Sequence, residues 1–252
     1  MRLSNSGIQC FKACRRKYEL KYIEDVIPVQ NADVLERGKS YHEKVEMLLS
    51  GQAFEFDDPK TDAMALAFRK HVMPKIGSVE AVEEWFHKEL PDGDTIVGRC
   101  DGRLADGRLI EHKTTSGDLD EAYIAGLQND EQILTYMWAY GVNNILYTVC
   151  KTPTIRLKKD EDEDDFRARC LEWYDTDTEL KIGTIDVYRS PEEIEEFDRD
   201  IKRIAKEIHD CEFFYRVPSH CMKWNRPCEY MAICRNYDPQ MEYVGFKKGD
   251  RT

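Results

Sequence analysis

Asp101 and the tripeptide Glu111-His112-Lys113 are the residues of this sequence whose types and spacing best suit chemistry. A hard divalent cation takes carboxylate oxygens, and a lysine beside it can hold a water or a phosphate oxygen. The second segment reads Leu109-Ile110-Glu111-His112-Lys113-Thr114. Strand alternation puts Leu109, Glu111 and Lys113 on one face and Ile110, His112 and Thr114 on the other. Whether Asp101 joins them depends on the turn between the two segments. A two-residue turn at Asp106-Gly107 would pair Asp101 with His112 and aim it away from Glu111. A three-residue loop, Ala105-Asp106-Gly107, with Gly107 left-handed, pairs Asp101 with Glu111 and sets their β-carbons about 5 Å apart. The bulged loop is the expectation. On spacing alone, an Asp and a Glu-x-Lys on neighbouring strands are more often a solvent face with cross-strand ion pairs.

The elements that must position these residues follow from periodicity. Ser6-Gly7-Ile8-Gln9 has capping-box spacing, and Ile8, Phe11, Tyr18 and Tyr22 recur at helical intervals. A second helix is expected from about Ala32 to Leu49, with Leu35, Tyr41, Val45 and Leu48 buried, and a third from about Thr61 to Val72, ended by Pro74. Glu80 to Leu90, Thr95 to Leu104 and Arg108 to Thr115 read as consecutive strands. Leu119 to Tyr140 returns to a helical period, and Asn144 to Cys150 is an apolar run fit for a buried strand. Ser190-Pro191-Glu192 opens a last helix carrying Ile194, Phe197, Ile201, Ile204 and Ile208. This order implies an α/β fold, a central mixed β-sheet flanked by helices. With no repeat and no Pro/Gly/Ser-rich linker, a single domain over 1–252 is expected, with a core at 31–160 and a helical region formed by 1–30 and 190–252.

The chain has no apolar run long enough for a membrane span and no apolar signal core at Met1 to Gln9, so it reads as intracellular and cytoplasmic. Its net charge of −12 counts against a nucleic-acid partner, but the run Asp160 to Asp165 (DEDEDD) concentrates six negative charges in what reads as a solvated loop. Arg2, Lys12, Arg15, Arg16, Lys17 and Lys21 leave room for a basic patch near the start. Nine cysteines without a secretion signal argue against structural disulfides.

Asp101, nine intervening residues, then Glu111-His112-Lys113 resembles the PD-(D/E)xK nuclease signature. Further motifs resemble its RecB-type branch, which includes CRISPR-associated exonucleases and phage recombination nucleases. They are Ser6, Ile8, Phe11, Cys14 and Tyr18 at the start, then Gly38 with His42, then Gln132 with Tyr136. Cys100 stands where that signature usually has proline. The resemblance covers nearly the whole chain, and the motif order carries it more than any one motif. It implies a restriction-endonuclease-like core that binds Mg2+ or Mn2+ through His42, Asp101, Glu111 and the backbone carbonyl of His112, with Lys113 completing the catalytic set. It also implies a nuclease, expected to be an exonuclease, acting on DNA ends or single strands in recombination, repair or replication in a bacterial or phage-infected cell, with a partner protein from those processes. Gln132 and Tyr136 would then face the DNA, with Arg15, Arg16 and Lys151 as further phosphate contacts. Alternatives are a structure-selective endonuclease and a non-cleaving DNA-end-binding adaptor.

Cys221, Cys228 and Cys234, with one distant cysteine, resemble the four-cysteine [4Fe–4S] staple of that branch, although the first spacing is longer than usual there. Its place in the N-terminal motif favours Cys14 over Cys10 as the distant ligand. The same cysteines could instead hold zinc or remain free thiols.

Overall fold

The computed structural model describes residues 1–29, 33–223, 225–235 and 245–249, with residues 33–35 described by backbone alone. In chain order the elements are β1 (Arg2–Ser4), α1 (Asn5–Ala13), α2 (Arg15–Tyr18), β2 (Val26–Pro28), α3 (Asp33–Leu49) and α4 (Pro59–His71). Then come β3 (Val79–Glu89), β4 (Thr95–Leu104), β5 (Leu109–Thr115), α5 (Glu121–Leu127), α6 (Glu131–Tyr140) and β6 (Asn144–Lys151). They are followed by α7 (Glu163–Glu172), β7 (Ile182–Tyr188), α8 (Pro191–His209), β8 (Met222–Lys223), β9 (Arg226–Pro227), α9 (Met231–Cys234) and β10 (Phe246–Lys248). The chain divides into two compact units, one of 33–86 and 98–197, the other of 1–32, 87–97 and 198–252.

The first of these units is built on a mixed sheet in the order β4-β5-β6-β7, with β3 paired to β4. β5 and β6 run parallel, which requires a crossover, and α5 and α6 supply it. β4 with β5 and β6 with β7 are antiparallel. On one face Tyr41, Val45, Met64 and Phe68 of α3 and α4 pack on Ile110, Leu146, Cys150 and Ile182. Alternation turns Tyr147 to the opposite face, where its hydroxyl donates to Asp130 Oδ2 at 2.8 Å at the start of α6. Also at α6, Tyr136 and Tyr140 both make edge contacts with the Phe86 ring. The expected α/β class and helix-flanked mixed sheet are therefore observed.

Several boundaries differ from the expectation, each for a local reason. The helix expected over Leu119 to Tyr140 is two, because Asp120 and Asp130 each cap a separate N-terminus, accepting from Tyr123 N and Gln132 N at 2.9 Å. Half of the acidic run is not loop: Asp162 caps α7, and Glu163, Asp164 and Asp165 form its first turn, where carboxylates meet the positive end of the helix dipole. The cap of α1 is Ser4, accepting from Gly7 N at 3.2 Å, rather than Ser6. Strand β7 was not anticipated; it completes the sheet beyond β6. The expected start of α3 at Ala32 and the side chain of Leu35 lie outside the described residues, while Tyr41, Val45 and Leu48 are buried as expected.

In the second unit, β1 lies parallel to Thr95–Val97, and β2 pairs antiparallel with β10. Leu20, Val26 and Tyr230 form a small core there, with Cys228, Ile233, Cys234 and Phe246 packed on it. The first helical stretch breaks at Cys14, whose φ of −161° and ψ of 111° separate α1 from α2. Among the described residues no helix is long and apolar enough to cross a membrane.

Candidate active site

The hairpin between β4 and β5 sets the site. Gly107 has φ 88°, Leu104 N donates to Arg108 O at 2.8 Å, and Gly107 N donates to Leu104 O at 2.9 Å. That is the three-residue loop with a left-handed glycine, and it fixes Gly102 opposite Ile110. The regular register ends at that pair, one residue short of Asp101 and Glu111. The ladder opens there: Asp101 Oδ2 accepts the backbone N–H of His112 at 2.6 Å. A side-chain carboxylate thus takes a hydrogen bond that a regular antiparallel pair would give to backbone.

Glu111 is placed by β5 opposite Tyr147 of β6, and its side chain is only 4 % exposed. Its Oε1 accepts from Lys113 Nζ at 2.9 Å, while its Oε2, also buried, has no hydrogen-bond partner. Burial, then the neighbouring Asp101 charge, pushes the Glu111 carboxyl up to about 8, against the downward pull of Lys113. Asp101 goes the other way. Burial would raise it, but a hydrogen bond with His42 and the His112 backbone hold it below the usual carboxylate range.

Lys113 Nζ also donates to Gln132 Oε1 at 2.7 Å and lies 3.6 Å from Asp130 Oδ2. Burial would lower its pKa, but Glu111 and Asp130 outweigh that and keep the ammonium charged. Gln132 Nε2 donates to the Tyr136 hydroxyl at 2.7 Å, and that hydroxyl donates to Arg99 O at 2.8 Å. A continuous hydrogen-bonded chain therefore runs from Glu111 through Lys113, Gln132 and Tyr136 to the backbone of β4. Four residues apart on α6, Gln132 and Tyr136 share the face this chain requires.

His42 comes from α3, with Nδ1 3.5 Å from Asp101 Oδ1. Burial would lower its pKa; the Asp101 carboxylate reverses that and leaves it raised. His112 points to the opposite face from Glu111, as alternation requires. It packs edge-on to Phe68 and His42, its Nδ1 lies 2.5 Å from Thr148 Oγ1, and burial pushes it down to about 4, so the ring is neutral near pH 7.

The structure thus brings His42, Asp101, Glu111, Lys113, Gln132 and Tyr136 into one neighbourhood. The three weaker cations are already engaged. Lys151 donates to Asp118 at 2.6 Å, Arg15 lies 3.6 Å from Glu207, and Arg16 pairs with Glu19 and, at 3.0 Å, with Glu24. Sequence reasoning passed over Asp130, which ties Lys113, Tyr147 and the cap of α6 together; an Asp before Glu131-Gln132 is a legible N-cap signal. It also passed over Glu83, which has φ 56° in the middle of β3 and pairs with Arg99. No residue pattern foretells a left-handed glutamate in a strand.

Among the described residues no three His, Cys, Asp or Glu side chains stand together as a ready-made metal cage. Asp101 and Glu111 offer hard oxygen donors, and the buried, unpartnered Glu111 Oε2 is a donor that a bound cation would satisfy. In the second unit, Cys14, Cys221, Cys228 and Cys234 all line one cavity of about 670 Å3, and Cys10 does not. Arg16, Lys17, Arg216 and Arg235 line it too, with Arg16 paired to Glu19 and Glu24 and Lys17 to Glu229 at 2.8 Å. The break between α1 and α2 at Cys14 distinguishes that residue from Cys10 one turn earlier.

No family model and no curated protein sequence matches the chain. Among solved structures it is similar to SSO0001, with 17% identity over 82% of this chain and 74% of that one, at a TM-score of 0.45. It is also similar to a phage related exonuclease from Haemophilus somnus 129PT, with 17% identity over 68% and 80% of the two chains, TM-score 0.36. An alkaline exonuclease from Laribacter hongkongensis shows 13% identity over 82% and 88%, TM-score 0.38. Likenesses this distant carry no argument about function, which rests on the residues above.

Proposed function

We propose that the chain is a metal-dependent DNA nuclease of the PD-(D/E)xK, RecB-like kind, acting as an exonuclease on DNA ends. The observation that carries this reading is Glu111. A carboxylate only 4 % exposed, with one oxygen lacking any hydrogen-bond partner and a second carboxylate acting on it, is costly as a purely structural feature. A bound divalent cation removes that cost, whereas a solvent face with cross-strand ion pairs would leave Glu111 exposed.

Asp101, Glu111, the backbone carbonyl of His112 and His42 would hold the cation, and the His42 imidazole would favour Mn2+ over Mg2+. A divalent cation there supplies an acidified water and neutralises charge on the scissile phosphate. Lys113, charged and held between Glu111 and Gln132, orients the water and stabilises negative charge developing on the phosphate oxygens. Tyr136 locks Gln132 and, through Arg99 O, the strand that carries Asp101. Work in recombination, repair or replication, with a partner from those processes, is the setting such an activity fits.

The cysteine-lined cavity is the second part of this reading. We infer that Cys14, Cys221, Cys228 and Cys234 hold a [4Fe–4S] cluster that staples α2 to the C-terminal segment of the same unit. Iron in the purified protein and absorbance near roughly 400 nm support the cluster; colourless protein containing zinc assigns the site to zinc instead.

The test of the activity is a time course with Mn2+ on end-labelled linear and on circular DNA, single- and double-stranded. Loss of linear DNA from its ends with circles intact is expected. Cutting of circles replaces the exonuclease with an endonuclease, and no cleavage of any form leaves a DNA-end-binding adaptor.

A further inference from the structure

The side chains of Arg99 and Trp85 sit beside the site without a part in it. Trp85 is 58 % exposed on β3, and the Arg99 guanidinium on β4 lies over its ring, 5.6 Å from the centroid, itself 49 % exposed. The next residue, Phe86, is buried on the other face under Gly98, where an added Cβ would come within 2.5 Å of its ring. Alternation thereby sets Trp85 outward on β3. Beneath the guanidinium, Glu83 pairs with Arg99 Nε and is only 14 % exposed. Its φ of 56° is a left-handed conformation that a glutamate adopts at a cost, and it turns the carboxylate under the arginine. Arg99 is two residues from Asp101, roughly 7 Å along the strand, and its carbonyl is the one Tyr136 holds. The pair is thus anchored from below by Glu83 and from behind by the Tyr136–Gln132–Lys113 chain.

We propose that Trp85 and Arg99 form a platform for a single nucleic-acid strand leading to the active site, with a base stacked on the indole and a phosphate on the guanidinium. An exposed tryptophan with an ordered arginine is the chemistry that grips unpaired bases, since every base has a π-face and a duplex hides it. The net charge of −12 strengthens the case. On a chain whose acidic residues outnumber its basic ones, phosphate attraction is weak, and stacking, which does not depend on net charge, carries a larger share of strand binding. The proposal rests on the nuclease reading and names the substrate strand for that same site.

The experiment is equilibrium binding of a short fluorescein-labelled oligo(dT), and of a blunt duplex carrying the same label, to the full chain in EDTA so that nothing is cleaved. Trp85→Ala should weaken oligo(dT) binding by about 5- to 100-fold and leave duplex affinity within about 2-fold, while Trp85→Phe, which keeps a stacking face, restores most of the loss. Arg99→Ala should lower the slope of log affinity against log salt for oligo(dT) by about 0.7. Oligo(dT) affinity unchanged in Trp85→Ala, with a wild type that binds and cleaves DNA, overturns the platform alone. A wild type that binds neither probe overturns the platform together with the nuclease reading.

Discussion

Replacing Glu111 by Gln isolates what an unfilled metal site costs this fold. The carboxyl ordinarily titrates at 4.5 and is pushed to about 8 here by burial and by Asp101. Its folded pKa therefore lies above its unfolded one. The contribution is fully favourable below pH 4.5, declines as pH rises, and is lost as pH passes 8. At about 1.4 kcal/mol per pKa unit, the metal-free wild type should lose about 4 kcal/mol between pH 5 and pH 8.5 through this group. Glutamine keeps the shape and cannot ionise, so the variant should not suffer that loss. It also removes the carboxylate that does most to hold the Lys113 ammonium charged, leaving Asp130 Oδ2 at 3.6 Å as its remaining anionic partner. Urea unfolding in the presence of a chelator, followed by tryptophan fluorescence, gives the stability difference between variant and wild type at each pH. The expected result is a shift of about 4 kcal/mol in favour of the variant from pH 5 to pH 8.5. Adding Mn2+ at pH 8.5 should then stabilise the wild type and not the variant. A pH-independent difference would show that Glu111 is not held as a buried, uncompensated carboxylate, and the argument for a cation there would fail.

Tyr136→Phe removes the hydroxyl between Gln132 and Arg99 O and strands two buried polar partners, for about 1–3 kcal/mol of stability. A fall in kcat larger than any change in KM should accompany it, measurable by thermal unfolding and steady-state cleavage. Of the N-terminal cysteines, Cys14→Ser should abolish iron content and visible absorbance, while Cys10→Ser keeps both. The opposite pattern would move the distant ligand to Cys10.

Much of the site was legible because strand alternation is a rigid rule. Once Gly107 was read as left-handed, the pairing of β4 with β5 and the opposite directions of Glu111 and His112 followed. The helix carrying Gln132 and Tyr136 was also legible from its period, although its start was not, because Asp130 and Asp120 cap two helices where the apolar pattern runs on unbroken. Strand β7 escaped notice because Ile182 to Tyr188 mixes apolar and polar residues at a sheet edge, where only one strand pairs it. The direction of Glu83 was out of reach in principle: its backbone conformation is disfavoured for its residue type and is imposed by the surroundings. The charges of Arg15, Arg16 and Lys151 were legible, but the engagement of Arg15 by Glu207 and of Lys151 by Asp118 depends on long-range packing that periodicity does not encode, whereas Arg16 pairs with Glu19 one helical turn on.

The central claim is that Asp101, Glu111 and Lys113 form a nuclease centre. Its most direct test is single-turnover cleavage of an end-labelled oligonucleotide in Mn2+ by the wild type, Asp101→Asn and Lys113→Ala, purified identically and matched for folding by circular dichroism. The account predicts cleavage by the wild type and a loss of at least about 100-fold in both variants. Variants that cleave as fast as the wild type would contradict it.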